Sequence, residues 1–297
     1  MASNYSQEAS GDLMRGSLTR SPASPRTLFS SVMSAIAFLC GALSLIPLIA
    51  LLSYVLIQGF SNLNLEIFTQ LPPPPLVKGG GFGNAIVGTL MTVGIATAIS
   101  VPFGVMAAIY VTEFSKPRLA RNIRFATNVL NGVPSIIAGV FAYGIVVATT
   151  KSYSAFAGGV ALAILMLPII VRTSDEALQL VPNDLRQAAL GIGATNFQTV
   201  AQVVLPAALP AIVTGATLSI ARAAGETAPI LFTALFSQFW SNSPFQPTAT
   251  LAVLVYNFAI SPFKNWQSLA WAASLILVLM VLVTSIIARL AASRVSR

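Results

Sequence analysis

The chain has 297 residues, 56% of them hydrophobic and only 8% charged, against about 25% charged in soluble domains. The net charge is +8, histidine is absent, and the single cysteine, Cys40, lies in an apolar run. These facts exclude a zinc site, a Ser-His-Asp hydrolase and an intrachain disulfide, and they indicate a multi-spanning membrane protein. No GxxxxGK[ST] phosphate loop is present, so the chain is not itself a P-loop ATPase.

Residues 1–27 are rich in Ser, Arg and Pro without an apolar period and read as a disordered tail. The apolar run over 28–60 is too long for a signal-peptide core and predicts a first transmembrane helix, with Pro47 as a kink. An external loop, 61–83, contains Pro72-Pro73-Pro74-Pro75, which favours extended polyproline II. Lys78-Gly79-Gly80-Gly81 lacks the GxGxxG spacing and reads as a flexible loop entering a helix.

From 84 to 290 the pattern predicts a membrane core. A second span covers 85–112. A basic segment, 113–127, follows, with Arg118, Arg121 and Arg124 at three-residue spacing, as suits a helix lying on a membrane surface. The third and fourth spans cover 128–150 and 155–171. A polar loop is expected at 172–206, then a fifth span at 209–236. The apolar piece 250–260 is shorter than the about 20 residues needed to cross, so it reads as a re-entrant or interfacial helix between Trp240 and Trp266. The sixth span covers 267–288, and 291–297 read as a second tail. The predicted class is all-α, a polytopic membrane protein of six transmembrane helices.

Six spans put both ends of the chain on one side. Arg15, Arg20, Arg26, Lys116, Arg118, Arg121, Arg124, Arg172, Arg186, Arg289, Arg294 and Arg297 fall on that side, and only Lys78, Lys151 and Lys264 opposite. The positive-inside bias predicts cytoplasmic termini. It also explains the net charge without nucleic acid, since the basic residues are scattered among loops and ends.

Arg222 and Glu226 interrupt the fifth span. A charge at the bilayer centre costs roughly 2.5–3.5 kcal/mol on insertion scales, so such residues pair, line a cavity or handle a charged substrate. Four residues apart, they are expected to share one helical face. Arginine offers a planar fork to an oxyanion, and Glu226 is expected to hold that fork when no anion is present. Arg172, near the inner end of the fourth span, is either a second anion contact or an interfacial anchor. Thr227 lies beside the pair, where a small hydroxylated residue also suits helix packing.

In the loop between the fourth and fifth spans, Asn183 or Asp184 is expected to cap a helix after Pro182. Gly191 and Gly193 then allow a turn, and a second amphipathic helix leads to Pro206 at the start of the next span. The segment is similar to the EAA motif of importer permeases in the ABC transporter superfamily: Glu-Ala-Ala, three residues, Gly, nine residues, Ile-x-Leu-Pro. Gln187-Ala188-Ala189 fits the triplet, Gly193 the glycine, Val203 the isoleucine and Leu205-Pro206 the end. Gln187 replaces the usual glutamate, so a charge contact to an ATPase partner is expected to become an amide hydrogen bond.

Ala221-Arg222-Ala223-Ala224-Gly225-Glu226-Thr227-Ala228-Pro229, with Met166-Leu167-Pro168, Val171-Arg172-Thr173 and Ser261-Pro262-Phe263, resembles the PstA-type permeases of phosphate-specific ABC importers. The likeness runs from about Gly83 to Arg289. It implies an ABC type I importer permease fold in the bacterial plasma membrane and a phosphate path through Arg222, Glu226, Arg172 and Thr227. It implies a docking loop of Gln187, Ala188, Ala189, Gly193, Leu205 and Pro206. The implied partners are a PstC-type permease, two copies of an ATPase subunit and an external phosphate-binding protein. No cofactor is expected on this chain, the ATP-Mg being held by the ATPase.

Overall fold

The computed structural model describes residues 25–295, with side chains described over 28–290. The tail expected over 1–27 lies outside the described residues as far as residue 24, and residues 25–27 are already helical. The chain divides into two compact units after Tyr54. The described residues of the first unit all lie in one helix, α1 (Pro25–Ser61), whose side chains over 28–54 are exposed, as suits an apolar helix in lipid.

The second unit consists of helices joined by loops, with no strand among the described residues. A short α2 (Glu66–Thr69) precedes α3 (Gly83–Ile109), which a π turn (Tyr110–Phe114) closes. Next come α4 (Pro117–Asn131), α5 (Ser135–Ala142, prolonged to Thr150) and α6 (Ala155–Gln179). The loop helices are α7 (Asn183–Gly191) and α8 (Asn196–Thr199). A further π turn (Val200–Val204) carries α8 into α9 (Leu205–Ala224), followed by α10 (Ala228–Leu231), α11 (Leu251–Ala259) and α12 (Lys264–Val295). Among the described residues, five helices are long and apolar enough to cross a membrane, or six if the pair α4 and α5, bent by 101°, counts as one span.

The six expected spans are matched if that pair is taken as one, and several boundaries differ. The stretch expected as a third span from 128 to 150 is broken between Asn131 and Ser135, because Pro134 has no N–H and disfavours a helical Val133. The fourth runs to Gln179, so residues 172–179 are helix rather than loop. The fifth stops at Ala224 instead of continuing to 236. Residues 291–295, expected in a tail, prolong α12.

α6 is the central staff. Leu162, Ala163, Met166 and Ile170 pack with Ala96 of α3, Ala223 of α9 and Ile230 of α10 in one buried cluster. At Gly215 of α9 a β-carbon would overlap Thr173 of α6, so only glycine lets these helices approach so closely. α11 packs into the protein: Leu251, Ala252, Val253, Leu254 and Phe258 are buried, and Leu251 N–H donates to Thr89 Oγ1 of α3 at 2.8 Å.

Hydrogen bonds from the start of α12 tie down the proline-rich loop. Trp266 Nε1 donates to the Pro73 carbonyl at 3.0 Å, and Asn265 Nδ2 to the Val77 carbonyl at 2.9 Å. Trp266 also stacks on Phe258, ring centroids 4.6 Å apart.

Replacing Gly215 with Val is expected to destabilise the α6–α9 contact by about 2 kcal/mol through overpacking. The check is a thermal melt of the purified protein, with Gly94→Val, where a β-carbon meets nothing within 4 Å, as the control that stays near wild type.

Candidate functional site

Arg222 occupies the last turn of α9, where a cation is favoured by the partial negative charge of the helix end. The helix stops two residues later. Pro229 has no N–H to offer the Gly225 carbonyl and its ring obstructs a further turn. The N–H groups of Gly225 and Glu226 instead bond back to the carbonyls of Arg222 and Ala223, at 3.1 and 3.2 Å. Glu226 therefore lies beyond the helix, and the expected shared helical face is corrected to a contact across a helix end. The two side chains still meet, Arg222 Nε to Glu226 Oε1 at 3.7 Å, with the arginine 63% exposed and the carboxylate 18%. The counter-charge is largely covered while the guanidinium stays open.

The open guanidinium faces a cavity of about 250 Å³ lined by Asn131, Ile169, Arg172, Thr173, Leu218, Ser219 and Arg222. The structure thus brings together Arg222 of α9 and Arg172 of α6, which the sequence separates by a loop. Thr227 is not among the lining residues; it precedes α10, and its carbonyl accepts from the Leu231 N–H. Small-molecule sites start near about 300 Å³, so this volume suits a small ion better than a large organic solute. Broken backbone at membrane depth survives only where protein buries it or a cavity solvates it, and the α9–α10 break lies beside this cavity.

Arg172 also pairs along α6 with Glu176, Nε to Oε1 at 2.9 Å, both side chains exposed. It lines a second cavity of about 120 Å³ with Val111, Ile123, Arg124, Thr127, Asn128, Val171, Asp175 and Glu176. Here sequence reasoning missed a network. Asp175 accepts from Arg124 Nε and Nη2, both at 2.8 Å, from Thr112 at 2.7 Å and from Gln179 at 2.8 Å. One carboxylate thereby ties the end of α3 and the surface helix α4 to α6. The signal was present: Asp175 follows Arg172 by one helical turn in an apolar helix, and Arg124 sits on the basic face of α4.

The loop helices carry the expected docking residues. Gln187 and Ala188 are exposed, Gly193 turns the chain with a left-handed φ of 92°, Leu205 is half-buried and Pro206 exposed. Ala189 is only 5% exposed and packs inward. Leu185, Leu190, Ile192 and Phe197 are exposed around Ala188. Neither Asn183 nor Asp184 caps α7, which Pro182 starts instead. The cap falls on α8, where Thr195 and Gln198 form a capping box. Pro206 lies within the first turn of α9 and the helical path is unbroken from Asn196, so the span does not restart there.

Residues 100–297 match the family described as binding-protein-dependent transport system inner membrane component. The chain is 44% identical to the phosphate transport system permease protein PstA of Yersinia pestis over 243 residues, 82% of each protein. It is 40% identical to that of Pasteurella multocida over 266 residues, 89% of this chain and 95% of the relative. With PstA 1 of Mycobacterium tuberculosis the identity is 37% over 261 residues, 86% of this chain. Among solved structures, a bacterial alginate ABC transporter with its pentasaccharide-bound periplasmic protein superposes with a TM-score of 0.65 at 12% identity, over 93% of this chain and 99% of that one. An inward-facing MetNI methionine ABC transporter gives 0.55 at 22% identity, over 72% and 94%. These likenesses establish the ABC type I importer permease fold expected from the sequence.

Asp175→Asn is expected to destabilise the protein by about 2 kcal/mol. That is less than the roughly 3–5 kcal/mol of a fully buried pair, because Arg124 is 41% exposed and stays partly hydrated. Chemical denaturation in detergent measures it.

Proposed function

Since this chain belongs to the binding-protein-dependent transport system inner membrane components, and within them to the PstA phosphate permeases, we propose that inorganic phosphate passes through the cavity shared by Arg222 and Arg172. The chain is a permease subunit of an ATP-driven importer, a multi-pass inner-membrane protein and not itself an enzyme. As in its family, it works with a partner permease, an ATPase and a binding protein. The finer assignment is a PstC-type permease, two ATPase copies on the inner loops and a phosphate-binding protein outside. No cofactor binds this chain, and the ATP-Mg belongs to the ATPase.

The observation that carries the phosphate path is the juxtaposition of two guanidinium groups on one small cavity beside a broken helix. Phosphate presents one or two negative charges and several acceptor oxygens, which arginine forks match with charge-assisted hydrogen bonds. Glu226 and Glu176 then act as resident counter-ions. They hold the arginines between passages and keep the cavity from retaining phosphate, since a path needs binding weak enough to release. Thr227 supports the break from outside the cavity, and its place on the path rests on that proximity. Lys116, Arg118, Arg121, Arg124 and Arg186 lie on the side of the α7–α8 loop and support cytoplasmic termini by the positive-inside bias.

Replacing Arg222 with Gln is expected to lower ATP-dependent phosphate uptake at least about tenfold in vesicles carrying all subunits, roughly the loss of one charge-assisted hydrogen bond. Glu226→Gln is expected to slow release rather than entry. Uptake at wild-type rate and apparent affinity in Arg222→Gln removes the arginine from the path.

Gln187, Ala188, Gly193, Leu205 and Pro206 form the ATPase-docking loop in this reading, with Ala189 shaping it from inside. A bulky Trp at Ala188 is expected to reduce the ATPase subunit that copurifies several-fold. Full copurification counts against docking there.

A further inference from the structure

We propose that the Arg186–Glu113 ion pair is the link through which movement of the α7–α8 loop reaches the helices that line the path, so that both are positioning residues for transport. The inference rests on the loop being the ATPase-docking element, and it adds how movement there is passed on.

Arg186 rides on α7 but grips two other helices. Its Nη2 and Nε reach both oxygens of Glu113, at 2.8 and 3.4 Å. The same Nη2 donates to the Leu178 carbonyl at 2.9 Å, and Nη1 donates to the Val181 carbonyl. The pair is well covered, the side chains 18% and 10% exposed. Leu178 lies in the last turn of α6, where a continuing helix would bring it the N–H of residue 182. That residue is proline and has none. The Leu178 carbonyl accepts the Val181 N–H at 3.3 Å instead, and the guanidinium adds a charged donor that suits the helix end.

Glu113 belongs to the π turn that closes α3, a kind of insertion frequent at functional positions. Its neighbour Thr112 donates to Asp175, the carboxylate that Arg124 forks. Asp175 lies one helical turn from Arg172, which faces the cavity of Arg222. Two adjacent residues of one turn thus join the docking loop on one side and the path on the other. A bidentate fork resists rotation as well as separation, which lysine as a point charge does not. A shift of α7 is therefore carried to the ends of α3 and α6 instead of being absorbed in the connecting turn.

The test measures phosphate moved per ATP hydrolysed by the complete transporter in proteoliposomes. Arg186→Gln and Glu113→Gln are expected to keep the ATPase subunit bound and hydrolysing while phosphate per ATP falls about tenfold, a typical size for coupling between sites. Arg186→Lys is expected to lie between. In a Cys40→Ser background, Arg186→Cys with Glu113→Cys is expected to be uncoupled when reduced and to recover when a short bis-methanethiosulfonate ties the two. An unchanged ratio in both single glutamine variants overturns the proposal. So does loss of the ATPase subunit in step with uptake, because the pair would then only shape the docking surface. Failure of the cross-link to restore the ratio overturns it as well. If Ala188→Trp leaves the ATPase fully bound, the docking reading fails by itself, and the ratio in Arg186→Gln still reports on the link.

Discussion

A charge surrounded by hydrocarbon and apolar side chains has no water to screen it, so it persists only beside an opposite charge or a polar cavity. That constraint organises this molecule. Among the described residues, four carboxylates meet four arginines: Glu113 with Arg186, Asp175 with Arg124, Glu176 with Arg172 and Glu226 with Arg222. One apolar cluster of the core packs on α6, which carries Arg172, Asp175 and Glu176 within little more than one turn.

The four pairs are not alike. Asp175 and Glu113 are covered and forked by arginine; a hydroxyl and an amide also donate to Asp175, and Arg186 donates to backbone carbonyls as well. Breaking such a pair leaves an uncompensated charge, so they fix one helix to another. Arg172 and Arg222 are held loosely, each by a single glutamate, and their guanidinium groups remain open to a shared cavity. An exposed ion pair is worth little, so an incoming anion displaces it readily. The fold thus separates arginines that hold helices together from arginines free to meet phosphate in the proposed path.

Much of this was legible in the chain. The apolar runs gave the candidate spans, because a membrane imposes a length on each. The spacing of Gln187, Ala188, Gly193 and Pro206 drew attention to the loop, and Arg222 to the candidate site, because an arginine in an apolar run needs a reason. The helix ends were less legible. The stop at Ala224 depends on Pro229, five residues on, and hydropathy alone read through it. The inward turn of Ala189 beside the exposed Ala188 is invisible in a triplet of similar residues.

The sequence by itself determined which residues are charged, how many apolar stretches can cross, and where proline forbids a backbone hydrogen bond. Only the tertiary structure decided which carboxylates Arg124 and Arg186 meet. Arg124 and Asp175, like Arg186 and Glu113, are far apart in the chain and share no local period, so nothing in their spacing announces the pairing. It follows from how closely α3, α6 and α9 pack, because the approach of those helices places Arg172 and Arg222 on one cavity and leaves the buried carboxylates within reach of an arginine.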